Sequence, residues 1–395
     1  MKTLIRDVRL VLEHGIRENA WLTFADGHIA ETGGDGKPEP PADRIVEGRG
    51  LYLAPGLIDL HLHGGDGYDF MDGTEEAVRR IAAYHSSHGI TSMLATTLAG
   101  EEEETLAAVE NIRRLIPEIR TCNLLGVHLE GPYFSQSQRG AQDPKYITDP
   151  DPAQCERFLQ TGCIRRISMA PELPGALSLG HKLHEKGILV SAGHTEADYD
   201  GICEAYDHGF RLMTHLYSGM QGVHRKGAFR YGGAVEGGLL TDGMAVELIS
   251  DGCHLPGCLL KLVRRCKRPE EILLITDAMR GAGLKEGEWT RLGSLEKGQK
   301  VIIEDGVAKM PDRTSFAGSV ASGDRVVRTM RDLGGAPLHE AVAMMTANPA
   351  RLLGLADRKG GLRPGMDADL ILFDGEVSMQ TVWVGGECVF SADEK

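Results

Sequence analysis

Eight apolar, strand-like runs alternating with helix-like stretches predict an α/β protein. It is read as a (β/α)₈ TIM-like barrel with a small β-sandwich domain formed from both chain ends. Three observations carry this reading. The runs recur at roughly 20–45-residue spacing, as parallel strands joined by crossovers do. The two chain ends share a texture of short strands and turns, and neither holds enough apolar residues for a core of its own. The 395 residues exceed the roughly 250–300 at which single cores stop growing. An open doubly wound sheet would give the same alternation, but no G-x-G-x-x-G follows the first barrel strand.

The N-terminal stretches "TLIRDVRLVL", "AWLTFADGHIAETGG" and "RIVEGRGLYLAP" read as strands, with Asp26-Gly27 as a hairpin turn. At the other end "GMDADLILFDGEVSMQTVWVGGECVF" repeats the pattern around Gly385-Gly386. The small domain is therefore expected over 1–53 and 355–395, and the barrel over 54–354. The barrel strands are expected in "LIDLHLHG", "GITSMLATTL", "NLLGVHLEGP", "IRRISMAPE", "GILVSAGHT", "FRLMTHLYSG", "MAVELISDGCHL" and "EILLITDAM". In the helix-like "EEEETLAAVENIRRLIPE", Leu106, Val109, Ile112, Arg113 and Ile116 approximate one face, and acidic residues crowd the first turn. Near 287–312 the rhythm breaks at "LGSLEKGQKVIIEDGVAKM", which predicts a β-hairpin insertion turning at Asp305-Gly306.

Composition excludes several function classes. A formal charge of −14 argues against a nucleic-acid partner, which requires a basic face. It leaves room for a small anionic substrate in a local basic pocket. No stretch approaches the roughly 18 apolar residues of a membrane span, and charges at Lys2, Arg6, Asp7 and Arg9 interrupt any signal-peptide core. The eight cysteines contain no C-x-x-C. Reduced, mostly buried thiols in a cytoplasmic protein are expected.

Active sites of such barrels gather at the C-terminal ends of the strands. Strand one ends in "HLHGG", and residues two apart in a strand share a face, so His61 and His63 emerge together. Strand three supplies His128 and Glu130, strand five His194, strand six His215, strand seven Asp251 and His254, strand eight Asp277. Each alone has a bland reading as a hydrogen-bonded rim residue. Together they are imidazoles and carboxylates, the ligand types that suit zinc, iron and manganese. Desolvating so many ionisable groups without an ion would be costly. A metal site is the joint reading.

His61-x-His63, Glu130, His194, His215 and Asp277, in that order, resemble the amidohydrolase superfamily. The longer motifs "APGLIDLHLHG", "HLEGP", "SAGHT", "THLY", "LITDA" and "TANPARLLGL" resemble its N-acetylglucosamine-6-phosphate deacetylase family from end to end. The resemblance implies hydrolysis of the N-acetyl amide of N-acetylglucosamine 6-phosphate to glucosamine 6-phosphate and acetate. The galactose epimer or another N-acylated amino sugar is the alternative, and a non-catalytic binding protein is the remote one. It implies Glu130, His194 and His215 as metal ligands and Asp277 as the carboxylate that relays a proton from water to the departing nitrogen. It implies one or two divalent ions, zinc or iron. Because His61 and His63 are both kept, two are favoured. For the phosphate it implies a homodimer, with an arginine from the loop after strand six (Arg225, or else Arg230) and His254. This chain departs from the family at Gln142, where a histidine usually meets the substrate carbonyl, and at Ser218 and Gly219, where "HLYNAM" becomes "HLYSGM".

Overall fold

The structure, a computed structural model, describes residues 1–34 and 36–394. Eight parallel strands form one sheet in chain order: Leu57–Leu62, Ile90–Thr97, Asn123–Glu130, Ile164–Met169, Leu189–Ala192, Phe210–Met213, Ala245–Ile249 and Ile272–Ile275. The last strand closes on the first. The Thr276 hydroxyl and N–H both donate to Asp59 Oδ2, at 2.6 and 3.2 Å. Beyond them Asp277 N–H donates to His61 O at 2.9 Å and His63 N–H to Ala278 O at 2.8 Å. Entry to the first strand needs Gly56, because a Cβ there would lie 2.0 Å from Thr91 Oγ1.

Inward positions alternate along the strands, apart from a register shift between Asp59 and Leu62 in the first, so the barrel interior is layered. The lowest layer is apolar and includes Ile58, Leu60, Leu94, Leu189, Leu212, Ala245 and Leu273. The next inward positions, Thr96, His128, Ser168, Ser191, Thr214 and Glu247, are polar and buried. The top layer carries the strand-end histidines and carboxylates.

Outside, the helix Glu75–Ser87 starts at Thr74, whose hydroxyl accepts from Ala77 N–H at 3.2 Å. The helix Glu102–Leu115 has three glutamates in its first turn and Arg113 and Arg114 in its last, as the dipole favours. Its buried face is Thr105, Ala108, Val109, Ile112 and Leu115, which corrects the expected stripe. Small side chains at 105 and 108 let this side lie close to the sheet. Arg113 is turned outward and donates to Glu110 at 2.7 Å.

His85, on the first of these helices, is fully buried, with Nε2 2.9 Å from Gly64 O. Burial pushes its pKa down to about 4 from the ordinary 6.5. The folded protein keeps the ring neutral while the unfolded chain takes up the proton. The associated stability is therefore complete above about pH 6.5 and lost as pH falls towards about 4, a linked contribution of roughly 3 kcal/mol. His85→Gln is expected to flatten the decline of the urea midpoint across that interval. An unchanged decline would show that His85 is not the group responsible.

The chain ends share one seven-stranded sheet in the order Glu387–Ser391, Met379–Val384, Leu370–Phe373, Arg44–Pro55, Lys2–Leu12, Gly15–Ala25, His28–Gly33. Phe24 and Trp383 stand on strands four places apart in that order, about 19 Å in a flat sheet. Their rings are nevertheless 6.4 Å apart, so the sheet folds back on itself around Ile5, Leu10, Leu22, Leu53 and Leu370. Asp26-Gly27 and Gly385-Gly386 make the expected tight turns, all four residues having positive φ.

Three details differ from expectation. The insertion is a three-stranded sheet, Trp289–Leu292, Gln299–Glu304 and Val307–Lys309. Its first strand buries only Leu292 and so carries little apolar signal. A second hairpin, His224–Lys226 with Phe229–Tyr231, forms in the loop after the sixth barrel strand. Of the cysteines, only Cys122, Cys155 and Cys163 are buried, while Cys258, Cys266 and Cys388 are exposed. No helix among the described residues is long and apolar enough to cross a membrane.

Candidate metal centre and active site

Four imidazoles converge on Glu130. Its Oε1 lies 3.3 Å from His61 Nε2, 3.2 Å from His194 Nε2 and 3.1 Å from His215 Nε2. Its Oε2 lies 3.3 Å from His63 Nε2. Two groups of ligand-type atoms result, His61–His63–Glu130 and Glu130–His194–His215, each within 4.8 Å and all buried. The donor set fits a divalent cation: imidazole nitrogens and carboxylate oxygens arranged around two adjoining positions.

The backbone at these strand ends is held in an uncommon conformation. His194, His215 and Asp277 have φ of 49°, 28° and 47°, the left-handed region that non-glycine residues seldom enter. Turning there aims each side chain across the mouth and not along the strand. Asp277 is pinned on both sides, its N–H on His61 O at 2.9 Å and its C=O accepting from Ser319 N–H at 2.8 Å. Its Oδ1 then sits 3.4 Å from His61 Nε2 and 3.3 Å from His63 Nε2.

The electrostatics favour positive charge at the centre. Burial works against a proton on His61 and His63, yet Glu130 and Asp277 outweigh it and raise the rings to about 9 and about 10. Burial likewise opposes ionisation of Glu130, but the surrounding histidines hold its carboxyl well below the usual range. The field that draws protons here would draw a divalent cation more strongly.

Gln142 is buried with both ends of its amide engaged. Nε2 donates to Glu130 Oε2 at 2.8 Å, and Oε1 accepts from Ala99 N–H at 2.8 Å. Gly219 packs against His194, where a Cβ would fall 2.8 Å from Nδ1. Asp251 accepts from the Nδ1 side of His254 at 2.8 Å, and Phe316 lies against the ring at 4.7 Å between centroids. Gln142, Ser218, Gly219 and His254 line, with His63, Glu130, His194, His215 and Asp277, a cavity of about 210 Å³. Arg225 and Arg230 are not brought to it. They face each other in register on the exposed hairpin.

A larger cavity of about 820 Å³ lies between the small sheet and the C-terminal helices. Of its four lysines and arginines, Arg351 is paired with Glu13 and Lys359 with Asp367 and Asp369, Arg363 donates to Ala356 O at 2.7 Å, and none of the lining residues belongs to the histidine–glutamate cluster. The ligand-type cluster opens on the smaller one.

His128 was expected beside Glu130 at the end of strand three, but its depth and several other neighbours of the site were not anticipated. His128 is no rim residue: it is fully buried in the layer below, Nε2 2.7 Å from Ser168 Oγ. Ser315 and Phe316 reach the cavity from the segment just after the insertion, a placement only the tertiary fold sets. Arg166 and Glu247, in the same buried layer, did leave a signal, since each is a charge inside an apolar strand run at an inward position.

Comparison with known proteins agrees with this geometry. The amidohydrolase family model matches residues 52–391. The N-acetylgalactosamine-6-phosphate deacetylase of Escherichia coli O157:H7 is 32% identical over 390 residues, 98% of this chain and 99% of that protein. The N-acetylglucosamine-6-phosphate deacetylase of Bacillus subtilis (strain 168) is 32% identical over 397 residues, 99% and 98% of the two chains. A solved mutant of N-acetyl-D-glucosamine-6-phosphate deacetylase from Mycobacterium smegmatis, in complex with N-acetyl-D-glucosamine-6-phosphate, superposes with a TM-score of 0.89 at 31% identity. That match covers 99% of each chain. A strand-end cluster of this composition, on a barrel matched by the family model from its first strand to its last, makes this chain a member of the amidohydrolase family.

Proposed function

We propose that this chain hydrolyses the N-acetyl amide of N-acetylglucosamine 6-phosphate, releasing acetate and glucosamine 6-phosphate, in the cytoplasm. The observation that carries the reading is the sharing of Glu130 by two imidazole pairs, with Asp277 against one of them at the floor of the cavity. His61, His63 and Glu130 would hold one divalent ion, and Glu130, His194 and His215 a second, zinc or iron in each case. When bound, such ions polarise an amide carbonyl and lower the pKa of water towards roughly 7. Asp277 takes the proton released by the attacking water and returns it to the departing nitrogen, whose poor leaving ability otherwise limits the step. Gln142 fixes Glu130 through its N–H and leaves the substrate carbonyl without a cationic side chain from that position.

His254 binds the phosphate. Asp251 fixes its Nδ1 side, and in the doubly protonated form Nε2–H donates to a phosphate oxygen. The exposed basic hairpin supports a homodimer in which Arg225 or Arg230 completes the phosphate site of the neighbouring copy. The galactose epimer is the second reading, supported by the E. coli relative, named for that substrate and equally similar.

Acetate release from N-acetylglucosamine 6-phosphate, its galactose epimer and unphosphorylated N-acetylglucosamine tests the assignment. A clear preference for the first is expected. Preference for the epimer would transfer the function to the second reading, and no acetate from any of the three would refute both. His254→Ala is expected to raise KM for the phosphorylated sugar about 10-fold or more, the loss of one charge-assisted hydrogen bond. KM for the unphosphorylated sugar should stay put, and an equal rise in both would remove His254 from the phosphate site.

A further inference from the structure

Directly beneath the ligand cluster the barrel holds a charged pair that neither the ligand set nor the proton relay uses. Arg166 and Glu247 are both 0% exposed. Every N–H of the guanidinium has an acceptor. Nε donates to Ser191 Oγ at 3.1 Å, and Nη1 to Leu60 O at 3.2 Å and to Glu247 Oε1. Nη2 donates to Thr214 Oγ1 at 3.2 Å and to Glu247 Oε2 at 2.8 Å. Arg166 is thus locked to four elements, and Glu247 is locked to Arg166 fork to fork.

Packing does not account for the pair. Interior layers of such barrels are ordinarily branched and apolar. Replacing a buried ion pair by apolar residues of similar volume is often neutral or stabilising. What the pair supplies, and an apolar layer could not, is a fixed carboxylate oxygen under His61. Glu247 Oε2 lies 3.7 Å from His61 Nδ1. That nitrogen is buried and makes no hydrogen bond in this arrangement, and a tilt of under about 1 Å closes the gap to bonding distance.

The chemistry of a neutral imidazole makes this oxygen consequential. Only one ring nitrogen has a free lone pair, and the acceptor met by the other N–H decides which. With Nδ1–H aimed at Glu247, the lone pair is on Nε2, which faces Glu130 Oε1 at 3.3 Å. The opposite tautomer would place a hydrogen where a cation must sit. We propose that Glu247, clamped by Arg166, is the positioning residue that selects the Nε2-ligating tautomer of His61. It thereby sets the affinity of the His61–His63–Glu130 subsite for its cation. This inference rests on the metal reading above.

The test is zinc binding to the chelator-stripped protein, measured by competition with a chromophoric chelator, in wild type, Glu247→Gln and the double variant Arg166→Met/Glu247→Gln. The single variant leaves a buried guanidinium underpaired and is expected to be less stable. The double variant removes both charges and tests the role without that burden. In both, the binding step abolished by His61→Ala is expected to weaken about 10–100-fold, with the other step unchanged. Nitrogen-15 imidazole spectra of the zinc-loaded wild type are expected to show a protonated His61 Nδ1, with altered protonation in both variants. Wild-type affinity at both steps and an unaltered His61 tautomer in the double variant would reduce the pair to barrel packing. A wild type that takes up no zinc would instead overturn the metal reading, and this inference with it.

Discussion

Asp277→Asn is expected to slow acetate release by about 10²–10⁴-fold, the range a positioned general acid–base contributes, while the protein keeps its metal. Asparagine preserves the shape of the side chain and an oxygen to face His61 and His63, so the ligand cluster loses no member. What it removes is basicity. Burial opposes ionisation of Asp277, but His61 and His63 at 3.4 and 3.3 Å hold its carboxyl below the usual carboxylate range. The group is therefore an anion throughout the neutral range, ready to accept a proton from water and buried enough to deliver it to nitrogen. In the proposed relay the carboxylate acts on the water and on the leaving group, not on the resting substrate. The loss should therefore appear in kcat, with KM little changed. Acetate measured enzymatically and metal measured by elemental analysis on the same preparation decide the matter. A variant with full metal and near wild-type kcat would assign the relay to another group. A variant stripped of metal would make Asp277 a ligand first.

Much of this architecture was legible in the chain because barrel strands are buried on both faces and read as apolar runs. His61 and His63 stood out for the same reason, as polar residues two apart at the end of such a run. The same two-residue period placed Glu130 on an inward face and would have placed Glu247 on the face it shares with Ile249 and Asp251. Arg166, read beside exposed Arg165, needs Ser168 to fix its side. The helix Glu102–Leu115 shows where periodicity runs out. Val109 and Ile112 belong to two candidate stripes, and only the close approach allowed by Ala108 chooses between them. Phe316 lies beyond sequence logic altogether, because its partner His254 is 62 positions away and the insertion between them could fold in either direction. Arg225 and Arg230 were legible as a basic cluster, but their pairing across an exposed hairpin places them on the outside of their own chain.

Glu130→Ala is expected to lose both cations at once, with activity down by more than about 10³-fold. The argument is one of counting. Each ligand group is two imidazoles and Glu130, so removing the carboxylate leaves two neutral nitrogens on each side, too few to hold an ion against water. His63→Ala and His194→Ala each strip a ligand from one group only, and each should leave one ion per chain. The loss at Glu130 also removes one of the two carboxylates, with Asp277, that raise His61 to about 9 and His63 to about 10, so the negative field that attracts a cation weakens with it. Thermal denaturation gives an independent readout. A cation bound only to the folded state stabilises it by mass action, so a chelator should lower the Tm of wild type and leave that of Glu130→Ala unmoved. Metal retained at full stoichiometry in Glu130→Ala would show that the two groups do not share this carboxylate. Retention of one ion, with the other lost, would assign Glu130 to a single group and place a different residue in the other.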